Sequence, residues 1–414
     1  MSRPQASSPP WAIASIIVSM GLVALGNGFL FAFIPVKLAA ENFPPSVAGA
    51  MITGMAGGGV AACLVSGRLV QRVGHARVFS AFAAMLILAA LALAYKTEPS
   101  LWISARTLYG FAITGLFIVS QSWLNDASAN EWRGRVISIF YMTYVVSLGF
   151  GSFLLRFVSI EGNEGPIVSV FFAALAILPV GLTRLRTPPP PESVSLSLKK
   201  VWRISPVGLA GLFAVGGLTM MVQGFAPIYA ASLDYSKDDI ALLLFLMQFG
   251  MIAVQYPLGA LSDRVDRRYV LIIACAIIIV SAGLATRING GGLILMVLIF
   301  AVWSGSTETI FSVANAHAND RADPSDYVTL SSTLLVAWSL SAFLLPGLAT
   351  VLTEFFGPKA FMFLAIAIAS LYFGFVLLRL KSREATEEGF QEPFQALTAQ
   401  APYTPELSPH QDDA

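Results

Sequence analysis

Two charged side chains interrupt long apolar stretches of this sequence: Arg106 in the stretch 101–124 and Glu308 in the stretch 292–315. An ionisable group inside a membrane span costs several kcal/mol, so it marks a functional position that faces an interior. Arg106 reads as a cation that holds an anionic substrate group or answers a proton-carrying partner. The competing reading is an arginine snorkelling to the membrane interface. Glu308 reads as a proton-coupling carboxylate, because a desolvated carboxyl keeps its proton and one opened to water releases it. The competing reading is a packing residue bonded to Ser304, one turn earlier. At a rise of 1.5 Å per residue the two charges sit about 10 Å and about 6 Å on opposite sides of their span midpoints. That gap is too wide for an ion pair, which needs contact within about 4 Å. Asn27 and Gln223 are further polar groups within apolar stretches, on the same side of the midpoint as Arg106. Tyr141, Tyr144, Gln248, Gln255 and Trp338 are weaker candidates, and interhelical packing competes for each of these polar groups.

Enzyme chemistry finds no foothold. The sequence has no His-Glu-x-x-His, no Gly-x-Ser-x-Gly, no Walker-type glycine loop and no paired intramembrane aspartates. Cys63 and Cys275 lie far apart in apolar stretches and read as small buried hydrophobes rather than a disulfide or metal site. His75, His317 and His410 lie in or beside polar segments. No cofactor or metal is expected.

The elements that position these groups follow from composition. Of 414 residues, 56% are hydrophobic and 12% charged, against about 25% charged in soluble domains; the mean hydropathy is +0.73. A net charge of +1 supplies no basic stripe for nucleic acid. A bilayer core needs about 20 apolar residues of helix, and such stretches occur at roughly 12–34, 46–66, 77–95, 101–124, 136–157, 165–185, 206–231, 240–261, 269–286, 292–315, 328–352 and 359–380. Only helices satisfy their own backbone groups in lipid. The expectation is an all-α membrane protein with twelve transmembrane helices in two six-helix bundles. The first stretch is longer than a signal-peptide core and reads as a retained helix. Eighteen Lys and Arg fall on one side of the spans and six on the other, which places both termini in the cytoplasm. Pro188, Pro189, Pro190 and Pro191 mark a semi-rigid linker. The division is a bundle over 1–185, a cytoplasmic linker over 186–205, a second bundle over 206–380 and a polar, acidic, disordered tail over 381–414.

The halves match at one offset. Gly67 and Arg72 in Gly-Arg-Leu-Val-Gln-Arg-Val-Gly lie 192 positions before Gly259 and Arg264 in Gly-Ala-Leu-Ser-Asp-Arg-Val-Asp, and Val136 lies 192 before Val328. A loop of this kind, repeated between the second and third helix of each half, resembles the signature loop of the major facilitator superfamily. The resemblance spans all twelve helices. Arg106-Thr107-Leu108-Tyr109-Gly110 resembles that superfamily's Arg-x-x-x-Gly motif, and Gln121-Ser122-Trp123-Leu124-Asn125 followed by Arg133-Gly134-Arg135 looks like its bacterial YcaD-like branch. Two positions depart from the pattern: Gln71 replaces the usual Asp, and Asp266 the usual Gly. The fifth helix carries Gly149 and Gly151 without the Gly-x-x-x-Gly-Pro of the antiporters.

The resemblance implies a secondary transporter of the inner membrane, in which two bundles rock about a site lined by the first, fourth, seventh and tenth helices. It also implies a functional Arg106. Asp263 would cap a helix of the other half near Val136 and latch one closed state, while Arg72 and Arg264 either pair with Asp126, Glu131 or Asp320 or merely fix topology. The expected partners are a small-molecule substrate, protons and the lipid bilayer, and the expected oligomeric state is a monomer. The favoured activity is proton-linked export, with an uptake permease or facilitator as the alternative and a non-transporting sensor far behind.

Overall fold

The computed structural model describes residues 10–128, 130–183, 196–290, 292–323 and 326–382. Among them the regular elements are helices: α1 (Pro10–Ala40), α2 (Pro45–Val73), α3 (His75–Tyr95), α4 (Pro99–Ala127), α5 (Asn130–Phe153), α6 (Ile167–Leu182), α7 (Leu198–Ile204), α8 (Pro206–Ser232), α9 (Lys237–Ser262), α10 (Arg267–Ala285), α11 (Leu293–Asn319), α12 (Tyr327–Phe356) and α13 (Ala360–Ser382). Eleven of these are long and apolar enough to cross a membrane. Helix α6 is apolar but only 16 residues long, about 24 Å against a hydrocarbon core of about 30 Å. Helix α7 is a single short piece in the expected linker, capped by the Ser197 hydroxyl. The four consecutive prolines and the tail beyond Ser382 lie outside the described residues.

Helix boundaries repeat at the offset found in the loops. Ala40 and Ser232 end α1 and α8, Pro45 and Lys237 begin α2 and α9, and His75 and Arg267 begin α3 and α10, each pair 192 apart. Asn42 and Asp234, also 192 apart, are the two non-glycine residues with positive φ among the described residues, both at 58°. Asn and Asp tolerate that left-handed conformation best among side-chain-bearing residues, so the same turn is made twice with the same chemistry.

Packing repeats as well. Helix α2 packs on α4, α1 on α5 and α6, and α3 on α4 and α6; in the second half α9 packs on α11, α8 on α12 and α13, and α10 on α11 and α13. The halves meet where α2 packs on α12 and α5 on α9. Small residues permit the closest approaches, as they do generally between membrane helices. A Cβ at Gly110 would collide with the Met55 carbonyl of α2, and one at Gly151 with the Leu25 carbonyl of α1. Gly110 therefore makes room for a neighbouring backbone. Gly149 faces Gln248 of α9 across the seam.

Candidate functional site

A cavity lies along this seam, lined by α1, α2, α4 and α5 from one half and by α8 and α12 from the other. Its polar contributors include Asn27, Tyr144, Gln223 and Trp338, and among the described residues no Asp, Glu, Lys, Arg or His lines it. Asn27 Nδ2 donates to the Tyr144 hydroxyl at 3.1 Å, tying α1 to α5. Gln223 is the centre of a second chain: its Nε2 donates to Ser304 Oγ at 2.9 Å, and its Oε1 accepts from Gln248 Nε2 at 3.0 Å. Three helices, α8, α9 and α11, are joined through that one amide. Buried polar groups without partners are costly, so such chains fix the mutual rotation of helices. The rest of the wall is apolar or aromatic, with Phe31, Met55, Phe117 and Met220 prominent.

Arg106 does not line this cavity. It borders a smaller adjoining pocket with Gly224 and Ile228 of α8, and Phe31 lines both spaces. The guanidinium is buried, 4% exposed. Its Nη2 donates to the Met55 thioether at 2.7 Å, and its carbon lies 5.4 Å from the Phe31 ring centre and 5.1 Å from that of Tyr109. Snorkelling to an interface is not what this side chain does.

Glu308 is buried in α11 at 1% exposure. Gln255 Nε2 of α9 reaches its backbone carbonyl at 3.5 Å and Ser312 Oγ at 3.0 Å. The Ser304 hydroxyl, one turn before Glu308, accepts from Gln223 of α8. Of the weaker candidates, Tyr144 and Trp338 line the cavity. Tyr141 instead accepts from Gln121 Nε2 at 2.7 Å, and Gln248 and Gln255 serve the helix contacts just described.

The Major Facilitator Superfamily profile matches residues 16–236 and 207–408. The chain belongs to the major facilitator superfamily. It is similar to the uncharacterized MFS-type transporter YcaD of Escherichia fergusonii, at 24% identity over 371 residues covering 88% of this chain and 94% of that protein. It is also similar to an uncharacterized MFS-type transporter of Yersinia pestis, at 23% identity over 380 residues covering 90% and 96%. Among solved structures it resembles a mutant form of the nucleoside transporter NupG, with a TM-score of 0.75 and 10% identity over 89% of this chain and 100% of that one. The human organic anion transporter MFSD10 (TETRAN) follows at a TM-score of 0.59 and 13% identity, covering 89% and 100%. The chain is thus a multi-pass membrane transporter of this superfamily, similar to the YcaD-like branch, and not an enzyme.

The superfamily loops place their residues at one end of the helices. Arg72, Asp263 and Arg264 are exposed there, Gly67 is half-buried and Gly259 is buried. Asp320 is not available to Arg72 or Arg264, because the neighbouring Arg267 grips it with Nε to Oδ2 at 2.7 Å and Nη2 to Oδ1 at 3.3 Å, both side chains 1% exposed. The side chains of Asp126 and Glu131 lie outside the described residues. Asp266, the departure from the usual glycine, caps α10 by accepting from the Arg268 backbone N–H at 2.9 Å and binds its guanidinium at 2.6 Å. Burial raises the Asp266 carboxyl, but these Arg268 bonds more than offset it and hold the group below the usual aspartate range. Arg268 Nη1 also donates to the Arg379 carbonyl of α13 at 3.2 Å. In the first half the corresponding turn uses Gly74 at φ 83°, a conformation suited to glycine. Arg267 and Arg268, counted above as topology-setting charges, are therefore buried structural cations. His75 and His317 are buried too, despite their polar sequence surroundings.

The contribution of α2 to the cavity was not foreseen from sequence, whereas Trp338 had already pointed to α12. Met55 and Thr114 carry no signal of their own, whereas the run Gly57-Gly58-Gly59 marks α2 as a helix other elements approach closely.

Proposed function

We propose that this protein is a secondary active transporter of the bacterial inner membrane, that its spans form two six-helix bundles over 1–185 and 206–380, and that these bundles rock about the seam cavity to give alternating access. The carrying observation is the cavity itself, walled by pseudo-equivalent helices of both halves and furnished with Asn27, Tyr144 and Gln223 for a small molecule. The repeated boundaries and pairings support two rocking bodies. The arginine-rich loops face the cytoplasm, as do both termini, and Asp263 latches the cytoplasmic side near Val136. Glu308 carries the coupling proton, and export down the proton gradient is the favoured direction. That the structurally similar proteins are named as nucleoside and organic anion transporters is in keeping with a small organic substrate.

Spin labels test the rocking. Glu41 and Asp234 mark one end of the seam and Arg72 and Arg264 the other, all four exposed. Distances across the two pairs should be anticorrelated, each with a short and a long population; single unchanging distances at both ends over pH and lipid conditions would refute alternating access. Glu308→Gln should abolish gradient-driven accumulation in proteoliposomes while sparing counterflow. Unchanged accumulation removes Glu308 from coupling.

A further inference from the structure

The seam holds a buried cation without a buried counter-ion. Arg106 Nη1 has no hydrogen-bond partner among the described residues. Nη2 rests on a thioether, a weak acceptor. None of the ion pairs among the described residues involves Arg106. The faces of Phe31 and Tyr109 offset part of the desolvation, but ring quadrupoles do not replace an anion around a guanidinium taken out of water. The group is walled by Gly224 and Ile228 of the opposite half, so it faces the transport seam and not lipid.

The adjoining cavity has the complementary character. No ionisable acid or base other than Tyr144 lines it, and its walls are largely apolar and aromatic. Two of its lining residues, one from each half, carry buried polar atoms without a hydrogen-bond partner among the described residues: the acceptor Asn27 Oδ1 and the donor Trp338 Nε1. Met55 and Phe31 both line this space and contact the guanidinium.

Resting on the reading of this cavity as the transport site, we infer that the substrate is an amphipathic organic monoanion: its apolar or aromatic body fills the cavity, and a single carboxylate-like group displaces the Met55 thioether to sit on Arg106. The planar fork of a guanidinium matches a carboxylate with two parallel hydrogen bonds. One cation balances one negative charge. A second charge on the ligand would lie in a cavity without a cation, where burial is prohibitive. Asn27 Oδ1 and Trp338 Nε1 then take a donor and an acceptor on the ligand body, which bridges the two halves.

The test uses the purified full-length protein in detergent and a thiol-reactive dye that reads unfolding through Cys63 and Cys275, respectively half-buried and buried. The probes are 1-naphthoate and benzoate, their amides, and sodium phosphate at matched ionic strength. The carboxylates should raise the melting midpoint with apparent Kd values at least tenfold below those of the amides, and phosphate alone should do nothing. Arg106→Gln should erase that tenfold preference. Arg106→Lys, which keeps the charge but not the fork, should retain part of the preference, and it carries the test if Arg106→Gln does not fold. Equal affinity for acid and amide, a preference that survives Arg106→Gln, a matching response to phosphate, or no response to any carboxylate overturns the inference. Ala342→Trp, which fills the cavity, separates the two readings. Amide binding that is lost in this variant keeps the cavity and discards the anion; carboxylate binding that depends on Arg106 but ignores Ala342→Trp keeps the anion site and discards the cavity.

Discussion

Asp320→Ala should be among the most damaging single substitutions outside the cavity, and the structure says by how much. Arg267 and Asp320 join the start of α10 to the end of α11 through two hydrogen bonds, with both side chains 1% exposed. Removing the carboxylate leaves the Arg267 guanidinium buried beside Arg268, itself 3% exposed. Breaking a buried pair by removing one partner costs about 3–5 kcal/mol, which is about 140- to 3700-fold in the unfolding equilibrium at 1.4 kcal/mol per decade. Replacing both partners by apolar residues of similar volume removes the stranded charge along with the bond, and such swaps are neutral or favourable in other proteins. Arg267→Met with Asp320→Leu should therefore recover most of the loss. Equilibrium unfolding in mixed micelles, followed by tryptophan fluorescence, measures all three variants. A single Asp320→Ala within about 1 kcal/mol of the parent, or a double variant no better than the single one, would refute the claim that stranded charge sets the cost.

Gln223→Leu should break both bonds of the Gln248, Gln223 and Ser304 chain; at about 0.6–1.7 kcal/mol per interhelical bond the loss is about 1–3 kcal/mol in the same unfolding assay, and a loss below about 0.5 kcal/mol would remove the chain from the stability of this half. Lys237→Met should open the end of the seam where Lys237 Nζ donates to the Val158 carbonyl at 2.9 Å, from α9 of one half to the segment after α5 of the other. One such bond is worth about 0.5–1.5 kcal/mol, so the long-distance population between labels at Glu41 and Asp234 should rise by about 2- to 12-fold, and an unchanged distribution would show that this contact holds nothing shut.

The sequence disclosed the repeat and the spans because both are written in features that survive without neighbours: apolar length, and Gly and Arg at a fixed spacing. The same offset proved to govern helix ends and the paired left-handed turns at Asn42 and Asp234. Arg106 and Glu308 were visible because a charge inside an apolar run is conspicuous. Their partners were not. Ser304 stands one turn from Glu308 along α11, yet its hydroxyl serves Gln223 on α8, because which groups meet depends on helix rotation and not on spacing within one helix. Likewise Asp320 looked free for the exposed loop arginines, and only folding shows Arg267 closing on it first.

The repeat conserves packing and discards polar chemistry, and this division bears on how such a protein works. Phe31 and Gln223 are 192 positions apart on α1 and α8, and both line the cavity. One supplies a ring for the Arg106 guanidinium, and the other the centre of a hydrogen-bonded chain. Arg106 and Glu308 themselves correspond to Leu298 and Leu116, so neither charge has a counterpart in the other half. At the loops, His75 of the first half stands at the position of Arg267 in the second, and it meets Ser122 at 3.1 Å where Arg267 meets a carboxylate. Two bodies that pack alike can pivot about a common seam with similar contact energy in either tilt, as packing terms alone would have them do. On the proposed rocking mechanism, the balance between tilts is broken by the unequal groups: Arg106 in the first half, Glu308 in the second, and the proposed ligand between Asn27 and Trp338. A ligand or proton shifts a conformational equilibrium only through its differential interaction with the two states, and unlike halves are where such a difference can arise.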